Sequence, residues 1–194
     1  CYTNCWEVEL FLNGKSLGIQ GYAFPRPGMQ ERYGVSPVRA RTPTTTADLH
    51  LMWTVPYEAG VLKAVGKVEG KAVSTVEIAT TGEPAKIELS ADRSTIKADR
   101  WDMAHVTVRI LDAEGRVVPT ADNEITFSVE GEGQSIGLDN GDMGSHEDYK
   151  GSVRKAYHGL CLAMLQSTAK AGQIQLKAAS PGLESAAVTI STNA

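Results

Sequence analysis

Imidazoles, carboxylates and thiols are the groups in this chain able to do chemistry, and their spacing decides what chemistry is open to them. The four histidines are His50, His105, His146 and His158. A histidine acting as a base or a metal ligand needs a serine, a cysteine or a carboxylate at a suitable distance. His50 and His105 fall in strand-like stretches without such a motif and read as positions on a solvated strand face. GxSxG, HExxH and a glycine-rich phosphate loop are all absent. The densest acidic run, Leu138-Asp-Asn-Gly-Asp-Met-Gly-Ser-His-Glu-Asp148, offers oxygen donors at Asp139, Asn140, Asp142, Glu147 and Asp148. Their spacing departs from a calcium loop, so a solvated turn is expected, with Gly141 and Gly144 supplying positive φ. Hydrolysis of a glycoside requires two carboxylates about 5–10 Å apart in a cleft. The 23 acidic residues lie mainly on strand exteriors and in turns, and no pair among them stands out.

The 3 cysteines cannot all pair internally. Cys1 and Cys5 lie about 13 Å apart along an extended strand at ~3.3 Å per residue, beyond the ~7 Å between Cα atoms that a bridge tolerates. Cys161, in the apolar run Gly159-Leu-Cys-Leu-Ala-Met-Leu165, reads as a small core residue. With no CxxC and no Cys/His ligand spacing, neither zinc nor any other metal or cofactor is expected. Among the aromatics, Trp53 shares one face with Leu49, Leu51 and Val55 and reads as core, as does Trp6 beside Val8 and Leu10. Trp101, in Ala98-Asp-Arg-Trp-Asp102, falls in a turn, and Tyr22, Phe24 and Tyr33 fall in an aperiodic stretch. These four are the candidate contact residues, for a sugar face or for a neighbouring domain, with the domain contact the stronger expectation.

The elements that must position these residues are strands. Glu7-Val-Glu-Leu-Phe-Leu12 alternates with period two, Asn13-Gly14 is a hairpin signal, and Lys15-Ser-Leu-Gly18 begins the return. Residues 20–47 lose periodicity and read as a long loop, a length uncommon without a function. Strand character resumes over Asp48–Val55, then Val61–Val68 and Ala72–Ile78 pair across Glu69-Gly70. Thr80-Thr-Gly-Glu-Pro84 reads as a joint between domains spanning 1–82 and 83–194. Beyond it, strands are expected at Lys86–Ser90, His105–Leu111, Glu124–Val129, Leu160–Ser167, Gln173–Ala178 and Ser185–Ile190. Turns are expected at Asp112–Gly115 and Glu130–Gly133. No sustained stripe at spacing three and four predicts a long helix. The expected fold is all-β: two tandem immunoglobulin-like β-sandwiches, the first lacking an upstream strand.

The 194 residues carry 19 basic and 23 acidic side chains, with 42% hydrophobic and 22% charged residues, a balance suited to one large or two small globular domains. There is no run of ~20 apolar residues to span a bilayer. Without a basic block, neither nucleic acid nor a membrane surface is expected as a partner. The first residue is Cys1, with no apolar leader before it, so the sequence reads as a piece of something longer. A lipoprotein reading is weaker, because the strand-like pattern starts at once in place of a polar tether.

Several ordered motifs carry a family resemblance. Tyr2-Thr-Asn-Cys-Trp-Glu-Val-Glu-Leu-Phe-Leu-Asn-Gly-Lys-Ser-Leu-Gly18 and Trp53-Thr-Val-Pro-Tyr-Glu-Ala-Gly-Val-Leu-Lys-Ala-Val-Gly66 resemble a module that follows the catalytic barrel in bacterial β-galactosidases of glycoside hydrolase family 2. Gly82-Glu-Pro-Ala85, Ile96-Lys-Ala-Asp99, Val118-Pro-Thr-Ala-Asp-Asn123, Asp139-Asn-Gly-Asp142, His146-Glu147 and Arg154-Lys-Ala-Tyr-His-Gly-Leu-Cys-Leu162 are similar to that family's final domain. The resemblance covers nearly the whole chain and does not specify a substrate. It implies a tandem of accessory domains, the second of invasin-like character, with the catalytic glutamates in a barrel elsewhere, so no catalytic residue carries over. Two departures stand out: the long insertion from Gly21 to Thr46, and Arg100-Trp101 where a smaller turn is expected. The expected function is a non-catalytic C-terminal region of a periplasmic or secreted β-galactosidase-like hydrolase. Its expected partners are the catalytic barrel of the parent chain, another subunit, or a glycan. An independent carbohydrate-binding module and a surface adhesin-like tandem are the alternatives.

Overall fold

The computed structural model describes residues 1–21 and 50–194, and every regular helix or strand among them is a strand. The long loop expected at 20–47 lies outside the described residues from position 22 to its end, and Tyr22, Phe24 and Tyr33 lie there with it. The chain divides into two units, Cys1–Thr80 and Thr81–Ala194.

Among the described residues, the first unit holds an antiparallel sheet of β1 (Glu7–Leu12), β2 (Lys15–Gly21), β3 (Val61–Val68) and β4 (Lys71–Ala79), in the order β2-β1-β3-β4. Both hairpins reverse on pairs of left-handed residues, Asn13-Gly14 (φ 50° and 80°) and Glu69-Gly70 (φ 51° and 76°). Such turns match the twist of the strands they join. Alternation places Val8, Leu10 and Leu12 on one face, where Leu12, Leu62 and Ile78 stand in register across three strands. Val8 and Leu10 are buried together with Cys5 and Leu51, while at the β4 edge Val76 and Ile78 are 59% and 67% exposed. Gly66 lets Cys5 seat, since a Cβ there would lie 2.6 Å from its Sγ. The opposite face is polar, with Lys67 pairing Glu9 at 2.6 Å and Lys63 pairing Glu77 at 3.1 Å.

Residues 50–55 correct the sequence reading. They alternate in burial as expected but form no strand. Leu51 exchanges both backbone bonds with Cys1 (2.9 and 2.7 Å), and the Gln20 side-chain amide takes the place of a ladder by bonding both Met52 N and Met52 O. An apolar alternation sets which side is buried, but a strand also needs a neighbour offering free backbone groups.

The second unit is a sandwich of two sheets. One orders β10 (Val153–Lys155), β8 (Glu124–Gly131), β12 (Gly172–Ala179), β13 (Ala186–Asn193) and β6 (Thr95–Lys97). The other orders β5 (Lys86–Ala91), β7 (Met103–Leu111), β11 (Leu160–Ser167) and β9 (Gly133–Asp139). Alternate residues point inward from both: Ala104, Val106, Val108 and Ile110 with Cys161, Ala163 and Leu165 from one, Ile125, Phe127, Ile174, Leu176 and Ala178 from the other. This interdigitation is what an immunoglobulin-like sandwich requires.

Three of these strands are not readable from alternation. β6 and β10 are three residues each, and Gly133 and Gly137 interrupt the pattern of β9. The expected turn at Glu130–Gly133 is a corner at which the chain changes sheets, because β8 and β9 belong to different ones. Gly131 (φ 93°) is needed there, since a Cβ would collide with the Gln173 carbonyl.

Candidate functional site

Of the four aromatic candidates, Trp101 is the one among the described residues, on the turn between β6 and β7. Asp99 Oδ1 accepts hydrogen bonds from the backbone N–H groups of Trp101 and Asp102, both at 2.8 Å. Asp102 in turn accepts from Lys97 N at 2.8 Å and from the Arg93 guanidinium at 3.1 Å. First the Asp102 amide and then that of Trp101 hold the Asp99 carboxyl below its ordinary range. Arg100 adopts φ 69°, a left-handed value costly for a residue with a Cβ. The side chain presented by this braced turn is 80% exposed.

The first unit carries an open cleft of about 310 Å³ on the apolar face of its sheet, floored by Leu12, Leu62 and Ile78 and rimmed by Val55, Pro56 and Tyr57. Among the described residues, Glu58 is its single carboxylate. That carboxylate accepts from Asn13 Nδ2 at 2.8 Å, while Asn13 Oδ1 accepts from Val61 N at 2.8 Å. Glu58 therefore braces the β1–β2 turn.

His105 gains a partner invisible in the sequence. Asp92, 13 positions away, accepts from its backbone N–H at 2.9 Å and lies 3.4 Å from its Nδ1. The pair is about 40% exposed on each side, and Asp92 also faces Arg93 at 3.8 Å. Desolvation raises the Asp92 carboxyl, but the His105 bonds and the Arg93 charge outweigh it and leave it lowered. His50 lies against the Tyr2 ring at 5.8 Å. His158, at φ 52° in the β10–β11 turn, lies with its ring tilted 57° to that of Tyr157 at 4.2 Å and contacts the Pro119 carbonyl at 3.1 Å. His146 is exposed.

The acidic loop is more than a solvated turn. Arg154, with a side chain 0% exposed, sits beneath it: its guanidinium reaches Asp139 at 3.4 Å, the Asn140 side-chain oxygen at 3.2 Å and the Glu147 carbonyl at 3.1 Å. The Tyr149 ring lies 4.6 Å from the same guanidinium. Gly141 has the expected positive φ (76°), whereas Gly144 does not, and its N–H caps Asp142 instead. A second residue missed in the sequence is Asp112, a carboxylate 0% exposed that accepts from Arg116 N at 2.8 Å and Gly82 N at 2.9 Å. The Arg116 amide, foremost, keeps that carboxyl low against its desolvation. The turn signal Asp112-Ala-Glu-Gly115 was the available clue to Asp112; nothing in the spacing points to Arg154. Cys161 is core, as expected, and burial pushes its thiol up to about 12. No cysteine is in a disulfide, and among the described residues no three His, Cys, Asp or Glu groups could hold a metal ion.

Comparison with known proteins places this geometry in context. Residues 87–189 match the model of Glycoside hydrolase family 2 C-terminal domain 5, and residues 1–74 match that of Domain of unknown function DUF4982. A relative in Bacteroides ovatus, Beta-galactosidase BoGH2A, is 40% identical over 192 residues, covering 98% of this chain and 20% of its own. A β-galactosidase of Thermoanaerobacter pseudethanolicus is 28% identical over 188 residues, covering 92% of this chain and 22% of its own. The crystal structure of a glycosyl hydrolase family 2 member from Bacteroides cellulosilyticus superposes with a TM-score of 0.82 at 33% identity, over 100% of this chain and 22% of that one. The chain thus spans about a fifth of the length of these relatives.

Proposed function

Because this chain belongs to glycoside hydrolase family 2, through its C-terminal domain 5, we propose that it is a non-catalytic accessory region of a β-galactosidase-like hydrolase. It supports the catalytic barrel, the packing of subunits or access of substrate during carbohydrate degradation, in the periplasm or outside the cell. The observation that carries this reading is the commitment of Glu58. A glycosidase needs two carboxylates facing one another, and among the described residues the cleft of the first unit has one, bound to Asn13. Asp99, Asp112 and Glu147 are likewise engaged by backbone amides or by Arg154. In this reading the exposed Val76 and Ile78 edge of the first sheet is covered by one further strand of the parent polypeptide, since an apolar row in register is stable only when it is buried.

The test is hydrolysis of aryl β-galactosides by the purified chain and by its parent with and without this region. The expected result is no turnover by the chain and a parent that loses thermal stability or activity on deletion. Turnover by the chain, abolished by a point substitution, would overturn the reading. The exposed Trp101 favours a second reading, an independent carbohydrate-binding module. Titration of galactosides into the chain, followed by tryptophan fluorescence, separates the two, because only the second predicts saturation.

A further inference from the structure

Resting on that reading, we propose that the Asp99–Asp102 turn is a docking anchor whose Trp101 side chain inserts into an apolar pocket on the part of the parent polypeptide outside these 194 residues. Three observations lead there. The indole is 80% exposed, although an aromatic ring is among the side chains that gain most from burial. The turn displaying it is strained at Arg100, φ 69°, and strain of this kind concentrates where structure serves a contact. Bonds from Asp99 and Asp102 brace the same backbone, so little is left to order when the ring is captured. Tryptophan and arginine are also the residues most enriched where protein contacts concentrate their energy.

The occupant follows from chemistry and from connectivity. Small-molecule sites are concave and enclose most of their ligand's surface, whereas a ring 80% exposed is not enclosed and is itself shaped to enter a pocket. A single anchor is too little to hold two separate molecules at ordinary concentrations. Within one polypeptide it is enough, because covalent connection raises the effective concentration to the millimolar range or above. In the relatives, about four fifths of the chain lies outside the matched region, since that region is 20% and 22% of their length.

Hydroxyl-radical footprinting with residue-level mass spectrometry tests this on the 194-residue chain and on the full-length parent. Oxidation of Trp101 should be at least about fivefold slower in the parent, independent of protein concentration, as expected for a ring buried at an interface core. Trp101→Ala should lower the melting temperature of the parent while leaving that of the 194-residue chain unchanged. Equal oxidation rates overturn the proposal. So does protection that vanishes on dilution, which assigns the anchor to a second copy, or protection of the 194-residue chain by added galactoside, which assigns it to sugar. An equal loss of melting temperature in both proteins also overturns it, by making the ring merely structural. Deletion of the whole region without effect on the parent would instead overturn the reading of function. An exposed Trp101 in a parent that depends on the region overturns the anchor alone.

Discussion

Arg154 and Cys161 have buried side chains that could react or carry charge, and burial settles the character of each. Arg154 is a fully enclosed cation, and its counter-charges, Asp139 and Glu147, are 44% and 29% exposed. Removing the counter-charges is therefore worse than removing the cation. Asp139→Asn with Glu147→Gln should cost about 3–5 kcal/mol in urea unfolding, the usual penalty for stranding a buried charge. Arg154→Met should cost clearly less, because the acids it frees can turn to water. Cys161 has a thiol raised to about 12 by burial, and the thiolate is the form that reacts. Ellman's reagent at pH 8 should therefore modify the exposed Cys1 in the native protein and reach Cys161 only on unfolding. Cys161 was legible from its apolar surroundings. Arg154 was not, because the burial of a charged residue depends on which loop folds over it, and that loop is closed by groups 7 to 15 positions away.

At the scale of elements, the braced β6–β7 turn couples to pH through Asp99. Its folded carboxyl is held low by the amides of Asp102 and then Trp101. A depressed folded value contributes order that is complete above the unfolded value near pH 4 and is lost as pH falls through the folded one. Hydrogen-exchange protection of the Trp101 and Asp102 amides should fall on acidification below about pH 4, and Asp99→Ala should abolish both the protection and its pH dependence. Constant protection down to about pH 2 would contradict this account of the turn. Hairpins were the most legible elements, since Asn13-Gly14 and Glu69-Gly70 encode their own reversal in left-handed residues. Residues 50–55 and β9 misled in opposite directions. One alternates without gaining a ladder, and the other gains a ladder despite glycines that break its alternation.

For the molecule as a whole, the two units differ in how completely they bury their apolar rows. The second encloses a core of 19 buried residues between its sheets. The first leaves Val73, Val76 and Ile78 each more than half exposed along β4. Residues 81–194 expressed alone should give a dispersed amide NMR spectrum and a single cooperative thermal transition. Residues 1–80 alone should give neither, because the bare apolar positions along β4 forfeit much of the burial that offsets chain entropy. A cooperative transition for residues 1–80 would contradict that expectation. The all-β class, the hairpins, the core rows and the family resemblance were determined by the sequence itself, through alternation, turn chemistry and ordered motifs that act over a few neighbouring residues. The change of sheets at Gly131, the enclosure of Arg154 and Asp112, the meeting of His105 with Asp92 and the engagement of Glu58 by Asn13 were decided by the tertiary structure. Each depends on residues brought together across the fold, where packing and desolvation act on distance in space and not on separation along the chain.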